Sequence, residues 1–333
     1  MNFLGAANMS STKAITPTLS SLGNGIYSID ALYVRPGLAS IYLIISEGRA
    51  AFVETGTRHS MSQVLDALES LGIRKSKVDF VIPTHVHLDH AGGAGTMMDL
   101  FPNAKLVVHP RGAGHMEEPS RLWAGTVAVY GELAARELYG EITPVARDRM
   151  VAATEGLGLA LGGRRLKIID TPGHCRHHIC IEDSETLGIF TGDLFGIRYR
   201  DVGAKGQSPV IVSTTPTQFD PVEMRRSIKR VASMKPPAVF MTHYSRANAV
   251  DDLAGELLRQ LDEHVRIALA HAESPESDRV ERIANDLRCF FKDEGKRLGW
   301  DLSVQRFDEL IMPDLRLNSL GLAHWISTLQ DQA

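Results

Sequence analysis

The chain has 333 residues, of which 44% are hydrophobic, and a formal net charge of -4. This length can bury a large core, and the composition is ordinary for a globular protein. Acidic and basic residues are interspersed without a basic stripe, so we expect no nucleic-acid partner. We find neither a typical signal peptide nor a long apolar stretch, so we expect no membrane association and take the cytoplasm as the compartment. The three cysteines are odd in number and scattered, which fits a reducing compartment.

The chain divides into three predicted parts. Residues 1–24 are rich in Ser, Thr and Gly and are predicted to form a weakly ordered lead-in. Residues 25–250 alternate strand-like and helix-like patterns and form the predicted catalytic domain. Residues 251–333 have helical spacing of their apolar residues and form a predicted C-terminal extension.

The predicted elements of the catalytic domain begin with strands over 40–46 and 50–54, which are joined by a short turn. Apolar residues at helical spacing then predict a helix over 61–71. Residues 78–83 form the next predicted strand, which is short and almost wholly apolar, and residues 105–109 form another.

A cluster of metal-binding side chains follows the predicted strand over 78–83. It places three histidines and one aspartate in a short loop: His85, His87, Asp89 and His90. The first two imidazoles are two residues apart and can face one ion together, whereas the last two residues lie in the tightening turn and can hold a second ion. Gly92 and Gly93 let the next helix start close against this loop.

Three further candidate ligands each follow an apolar, strand-like run. They are His174 in Thr-Pro-Gly-His, Asp193 in Thr-Gly-Asp and His243 in Thr-His. A carboxylate has two oxygens and can bridge two cations. The predicted assignment is His85, His87 and His174 on one ion, Asp89, His90 and His243 on the other, and Asp193 between them.

These motifs, in this order, resemble the metallo-β-lactamase superfamily over roughly residues 25–250. The resemblance implies an α/β fold that is a four-layer αβ/βα sandwich, with two mixed sheets face to face, helices outside and the metals at one edge. The bridging Asp193 makes the site similar to those of glyoxalase II and lactonases, whereas true metallo-β-lactamases generally lack it. Diiron relatives usually carry Glu where this chain has His87. Relatives often have Asp where this chain has Glu54, which is not an expected ligand.

The predicted activity is therefore hydrolysis of an ester, thioester or lactone of a small molecule. Two cations share a hydroxide, lower its pKa and polarise the substrate carbonyl. Asp89 is assigned as a ligand with an additional role in orienting the hydroxide or accepting its proton. Zinc is the expected metal, and ligand type alone leaves iron or manganese open. No serine-nucleophile elbow, Walker A or dinucleotide motif competes with this interpretation.

Two alternatives from other functional classes stay open. A diiron redox or oxygen-binding protein of the same fold would contain iron and absorb visible light. An effector would act through its C-terminal helices and keep its cellular role when His85 and His87 are both replaced.

Other segments have two possible roles each. Residues 115–139 are rich in apolar residues and could form a lid over the metals or part of the ordinary core. His178, Arg198 and Tyr244 lie shortly after candidate ligands and are predicted substrate contacts, with solvated or packed positions as the alternative.

The C-terminal extension is predicted to contain helices over 253–269, 278–296, 307–312 and 320–329. Relatives with helical C-terminal additions use them to shape the pocket or to dimerise. Both roles stay open here, including a homodimer.

Overall fold

The computed structural model describes residues 18–200, 202 and 208–331. The chain divides into two compact units, of which the first ends at Ile168 and the second begins at Ile169. The strands are β1 (Leu19–Gly23), β2 (Ile26–Asp30), β3 (Ser40–Ser46), β4 (Arg49–Val53), β5 (Val78–Ile82), β6 (Lys105–Val108), β7 (Met150–Ala152), β8 (Gly158–Leu161), β9 (Arg164–Asp170), β10 (Ile179–Asp183), β11 (Ile189–Arg198), β12 (Val210–Ile211), β13 (Val239–His243) and β14 (Ser245–Ala247). The helices are α1 (Met61–Ser70), α2 (Leu88–Ala91), α3 (Ala94–Leu100), α4 (Pro110–Glu117), α5 (Ser120–Tyr130), α6 (Glu132–Tyr139), α7 (Pro221–Ser233), α8 (Val250–Ala270), α9 (Glu276–Leu298), α10 (Val304–Leu310) and α11 (Met312–Gln330).

The first unit is built on a mixed sheet whose strands follow the order β1 to β7. The strands β1 to β4 pair antiparallel, and β4 to β7 pair parallel. Parallel neighbours require crossover connections, which helices supply here between β4 and β5 and between β5 and β6. The carboxyl ends of the parallel strands therefore meet at one edge of the sheet, where the loop after β5 begins.

The core of the first unit consists of apolar side chains from the sheet and from α1 and α3. Leu43, Phe52 and Val81 of the sheet are fully buried with Leu68 of α1. The rings of Phe52 and Phe101 stack with their centroids 5.4 Å apart. This packing fixes the end of β5 and thereby the start of the loop that carries the histidines.

The second sheet follows the order β14, β13, β11, β10, β9 and β8, with β12 paired to β11. Two adjacent strands of this sheet, β11 and β13, pair parallel, and both are almost wholly buried. The stacked rings of Phe190 and Phe240, with centroids 4.7 Å apart, join these two strands. Asp193 lies within β11 and His243 at the end of β13, so this pairing sets their separation.

The lead-in prediction needs a correction. Residues 1–17 lie outside the described part of the chain, but Leu19–Gly23 form a strand that pairs with Ile26–Asp30, with one register shift after Ser21. The polar composition of this segment suggested weak order, whereas backbone pairing at a sheet edge orders it whatever its side chains.

The C-terminal region is helical from Val250 onward, as predicted, with different bounds at its end. The last helix begins at Met312, well before the predicted start at residue 320. Pro313 lies in the first turn of this helix, where the missing N–H of proline has no intrahelical partner to lose. The division of the chain at residue 250 stays a prediction. None of the described helices has the length and apolar character to cross a membrane.

The segment over 115–139 is only partly buried. Although α5 is largely apolar, none of its residues is fully buried. In α6, Ala135 and Tyr139 are buried, whereas Leu133 is 85% exposed. Its role as a lid stays a prediction.

Candidate metal centre

The first group of candidate ligands lies in the loop between β5 and α2. His87 has an extended backbone and immediately precedes the first helical residue, so Asp89 and His90 fall in the first turn of α2. The carbonyl of His90 accepts hydrogen bonds from the backbone N–H and the hydroxyl of Thr55, both at 2.8 Å. A Cβ on Gly93 would lie 2.8 Å from the Thr55 carbonyl, so glycine permits this close approach, as predicted.

The imidazoles of this loop lie in direct contact. The Nε2 of His85 is 2.9 Å from the Nδ1 of His87, and the ring centroids of His85 and His90 are 4.0 Å apart. The Nε2 of His90 is 3.4 Å from a carboxylate oxygen of Asp89. The loop therefore brings the four candidate ligands together, and the division of these residues between two ions stays a prediction.

Glu54, at the end of β4, orients two of these histidines. Its carboxylate is fully buried and lies 2.9 Å from the Nδ1 of His90. It also accepts hydrogen bonds from the backbone N–H of Thr84 at 3.0 Å and from its hydroxyl at 2.6 Å. The Thr84 hydroxyl is in turn 3.1 Å from the Nδ1 of His85. With Nδ1 held in this way, each ring presents Nε2 as its donor atom.

The role of Glu54 was not evident from the sequence. The sequence feature that could have indicated this role is an acidic residue directly after a buried strand, 30 residues before Thr84. A carboxylate that hydrogen-bonds to a ligand imidazole fixes the ring and raises its basicity.

The second group of candidate ligands is arranged around Asp193. One carboxylate oxygen of Asp193 is 3.5 Å from the Nε2 of His174, and the other is 3.4 Å from the Nε2 of His243. All three side chains are buried. Each oxygen thus faces a different histidine, which is the arrangement that a carboxylate shared by two cations requires.

Further contacts hold this second group in place. The Nδ1 of His174 lies 3.4 Å from the carbonyl oxygen of Ser213, so Nε2 is directed toward Asp193. His178 is fully buried, and its Nε2 accepts a hydrogen bond from the backbone N–H of Asp193 at 3.3 Å. The Nδ1 of His178 is 2.9 Å from the Thr171 hydroxyl.

The donor chemistry of both groups fits divalent metal ions. All seven predicted ligands belong to sets of His and Asp side chains that could hold a metal ion: His85, His87, Asp89, His90, His174, Asp193 and His243. Imidazole with carboxylate is a donor set typical of zinc and of other first-row divalent metals. The identity of the metal stays a prediction.

The predicted substrate contacts have different surroundings. His178 contacts the backbone of Asp193, as described above. Arg198 is half-buried and donates to the carbonyl of Arg246 at 2.8 Å. Tyr244 is buried, and the guanidinium of Arg200 lies 5.4 Å from its ring centroid. Their contact with substrate stays a prediction.

Three tyrosines of the first unit form a cluster that the sequence analysis missed. The hydroxyls of Tyr33 and Tyr139 are 2.9 Å apart, and the rings of Tyr130 and Tyr139 meet edge to face at 5.8 Å. Burial, the two neighbouring tyrosines and the charge of Asp89 raise the pKa of Tyr139 well above its usual value. The hydroxyl is therefore protonated at neutral pH, and the end of α6 lies within electrostatic reach of a candidate ligand.

The metallo-beta-lactamase superfamily profile matches residues 34–243, well over half of the chain. The chain belongs to the metallo-beta-lactamase superfamily. This membership confirms the predicted α/β sandwich with two mixed sheets, and the helices after residue 250 agree with the predicted addition. It also makes the chain, at the level of the superfamily, a metal-dependent hydrolase.

Two curated relatives illustrate the range of this superfamily. The metallo-beta-lactamase fold-containing protein ST1585 of Sulfurisphaera tokodaii is 27% identical over 226 residues, which are 66% of this chain and 78% of that protein. The human acyl-coenzyme A thioesterase MBLAC2 is 27% identical over 186 residues, which are 52% of this chain and 64% of that protein. The second match thus spans a little under two thirds of the relative.

Solved structures show the same fold. The crystal structure of ST1585 superposes with a TM-score of 0.61 at 22% identity and covers 90% of this chain and 98% of that one. The metallo-beta-lactamase family protein TTHA1429 from Thermus thermophilus superposes with a TM-score of 0.65 at 20% identity and covers 94% of this chain and 96% of that one.

Proposed function

We propose that this protein is a binuclear hydrolase that cleaves a thioester, ester or lactone of a small molecule, with acyl thioesters as the leading substrate class. The arrangement of Asp193, whose two carboxylate oxygens face two different histidines, is the observation that supports a binuclear site. A site for one ion needs only one of these contacts.

Each candidate ligand has a defined role in this proposal. His85 and His87 bind one ion with His174, whereas Asp89 and His90 bind the other with His243. Glu54 fixes the rings of His85 and His90 through the hydrogen bonds described above.

The metal ions, when bound, would supply an acidified water and polarise the scissile carbonyl. Asp89 is the residue assigned to accept the proton from that water, because its carboxylate is part of the ligand loop and is only partly buried. The charge of Asp89 is one of the causes that raise the pKa of Tyr139, so the hydroxyl of Tyr139 stays protonated at neutral pH.

The preference for acyl thioesters has two supports. MBLAC2, a relative at 27% identity, is named as an acyl-coenzyme A thioesterase. In addition, α5 presents partly buried apolar side chains, Leu122, Trp123 and Val127, next in sequence to Tyr130 of the tyrosine cluster. Apolar side chains that are only partly buried can take up an acyl chain, since contact with it removes apolar surface from water.

The test is a hydrolysis assay with protein loaded with zinc. A panel of acyl-coenzyme A thioesters, matched oxygen esters and lactones is compared at equal concentration, with thiol release and acid release as the readouts. We expect the highest kcat/KM for a thioester and none for the His87→Ala variant. If no member of the panel is hydrolysed by protein that contains two metal ions, the substrate class is wrong.

Metal content tests the remaining part of the proposal. We expect about two zinc ions per chain after purification without added metal, since the donor set suits zinc. Two iron ions with a visible absorption band would instead support the diiron alternative and overturn the hydrolase proposal.

A further inference from the structure

The C-terminal helices α8 and α11 each direct one buried amide side chain at the same short segment. Gln260 of α8 and Asn318 of α11 are each 1% exposed. Both contact residues 210–215, the segment that begins with β12. Buried amide side chains need hydrogen-bond partners, and these two find them on the backbone of this segment.

The two amides bind the segment as a neighbouring strand would. Gln260 accepts a hydrogen bond from the N–H of Val212 at 3.0 Å and donates to the carbonyl of Val210 at 2.8 Å. Asn318 repeats this pattern two residues later: it accepts from the N–H of Thr214 at 2.8 Å and donates to the carbonyl of Val212 at 2.7 Å. One edge of the segment is therefore paired by side chains instead of by a strand.

The same segment is held in two further ways. Along its other edge, Val210 and Ile211 pair with β11. On the α11 side, a Cβ on Gly321 would overlap the carbonyl oxygen of Thr214, so the absence of a side chain lets the helix backbone pack directly on the segment. Thr214 also donates its hydroxyl to the carbonyl of Asn318 at 3.2 Å.

The residues held in this way contact two candidate ligands. The carbonyl oxygen of Ser213 lies 3.4 Å from the Nδ1 of His174, and the hydroxyl of Thr215 lies 3.4 Å from its Nε2. The Ser213 hydroxyl donates to a carboxylate oxygen of Asp193 at 3.5 Å. Any shift of the segment therefore changes the direction in which His174 presents Nε2.

We infer that Gln260 and Asn318 are positioning residues for the metal centre, and that the C-terminal helices set the geometry of His174 and Asp193 by clamping residues 210–215. This inference rests on the proposed metal-binding function. It gives the C-terminal extension a role within the site, acting through the segment and not through contact with substrate.

Replacement of Asn318 by Ala leaves the N–H of Thr214 and the carbonyl of Val212 without these partners. The segment then has to relax, because buried backbone groups that lose their partners are costly. Outer partners of metal ligands change metal affinity by about ten- to a hundredfold when they are removed. We expect an effect of this size for Asn318, which acts on the candidate ligands through residues 210–215.

The experiment compares Asn318→Ala with Ser319→Ala. Ser319 is the next residue on α11, is equally buried, and donates its hydroxyl to the carbonyl of Leu315 within the same helix at 2.7 Å. The readouts are zinc affinity from competition with a chelator and the visible spectrum of the cobalt-substituted protein, which reports ligand geometry. Thermal unfolding of the metal-free proteins measures the purely structural cost of each change.

We expect Asn318→Ala to bind zinc about ten- to a hundredfold more weakly and to change the cobalt spectrum, while Ser319→Ala keeps wild-type values for both. Wild-type zinc affinity and spectrum in folded Asn318→Ala would overturn the inference and leave the proposed function standing. Absence of metal binding in the wild-type protein would overturn both.

A second measurement on wild-type protein covers the case in which Asn318→Ala does not fold. If the hydrogen bonds from Gln260 and Asn318 to residues 210–215 favour metal binding, metal binding must equally favour these hydrogen bonds. We expect zinc to slow amide hydrogen exchange at Val212 and Thr214, with no matching change along α9. Equal exchange at these two amides with and without zinc would contradict the inference.

Discussion

The four candidate ligands of the first unit come from one loop, whereas the three of the second unit come from separate segments at residues 174, 193 and 243. In the loop, the backbone turn into α2 places the side chains, and a single carboxylate, Glu54, orients two of them. In the second group, strand pairing sets the separation and helices distant in sequence hold the neighbouring backbone. The first group is thus a local construction and the second depends on tertiary structure.

This difference predicts how each group responds to the loss of a ligand. His87→Ala removes a donor from one ion only, so we expect one metal per chain to be lost and turnover to fall below detection. Asp193→Ala removes the shared carboxylate, so we expect both metals to be lost. Metal analysis and an activity assay measure both outcomes. Equal metal content in Asp193→Ala and wild type would exclude a bridging role for this residue.

The orientation of the loop can be weakened without removal of a ligand. Glu54→Gln keeps the size of the side chain but loses the negative charge that the Nδ1 of His90 faces directly and that the Nδ1 of His85 meets through the Thr84 hydroxyl, so we expect about ten- to a hundredfold weaker zinc binding. Chelator competition measures this effect. Asp79→Asn is a suitable control, because Asp79 lies at the opposite end of β5 and pairs with Arg49. Similar losses in both variants would assign the effect to general destabilisation.

The helices around the second group contain a buried histidine that makes stability depend on pH. His264 of α8 donates from Nδ1 to the carbonyl of Gln260 at 2.8 Å, and its Nε2 lies 3.4 Å from the amide nitrogen of Asn318. Burial lowers the pKa of His264 from 6.5 to about 4, opposed by the hydrogen bond to Gln260 and by the charge of Glu263.

The native state therefore holds His264 neutral, whereas the unfolded chain protonates it near pH 6.5. Its contribution to stability is fully present above pH 6.5 and is lost as the pH falls to about 4. The loss amounts to about 3 kcal/mol at about 1.4 kcal/mol per pH unit. Urea unfolding between pH 7 and pH 4 measures it, and His264→Asn should show a correspondingly smaller slope. Parallel slopes in the two proteins would contradict this assignment.

The fold was predictable, and a candidate ligand set could be proposed, because their signals are local. Strand bounds such as Ser40–Ser46 followed from apolar patterning. The close spacing of the histidines likewise indicated a loop at the end of a strand. The bounds failed where a local signal was ambiguous. The last helix begins at Met312 and not at the predicted residue 320, and its first turn contains Pro313.

The residues that orient the ligands were not predictable, because their roles depend on distant partners. Glu54 is an ordinary acidic residue in sequence, and only the position of Thr84 gives it a role. Gln260 and Asn318 are polar residues in amphipathic helices, where polar side chains usually face solvent. Their burial against residues 210–215 depends on how α8 and α11 pack, and helical periodicity carries no information about that packing.

The smallest expected effects concern the tyrosine cluster, which tests whether the first unit contributes more than ligands. Tyr139→Phe removes the hydroxyl that meets Tyr33 at 2.9 Å and should cost about 1 kcal/mol of unfolding free energy with unchanged metal content. Tyr130→Ala removes a half-buried ring at the end of α5 and should raise KM for long acyl thioesters by about fivefold, since an aromatic contact contributes about 1 kcal/mol. Its kcat should change little, because the ring is not assigned to the reacting atoms. Steady-state kinetics with short and long acyl chains separate the effect on KM from the effect on kcat. An unchanged KM for both chain lengths would mean that α5 packs against the protein without contacting the acyl chain. The ligand loop would then remain as the contribution of the first unit to the site.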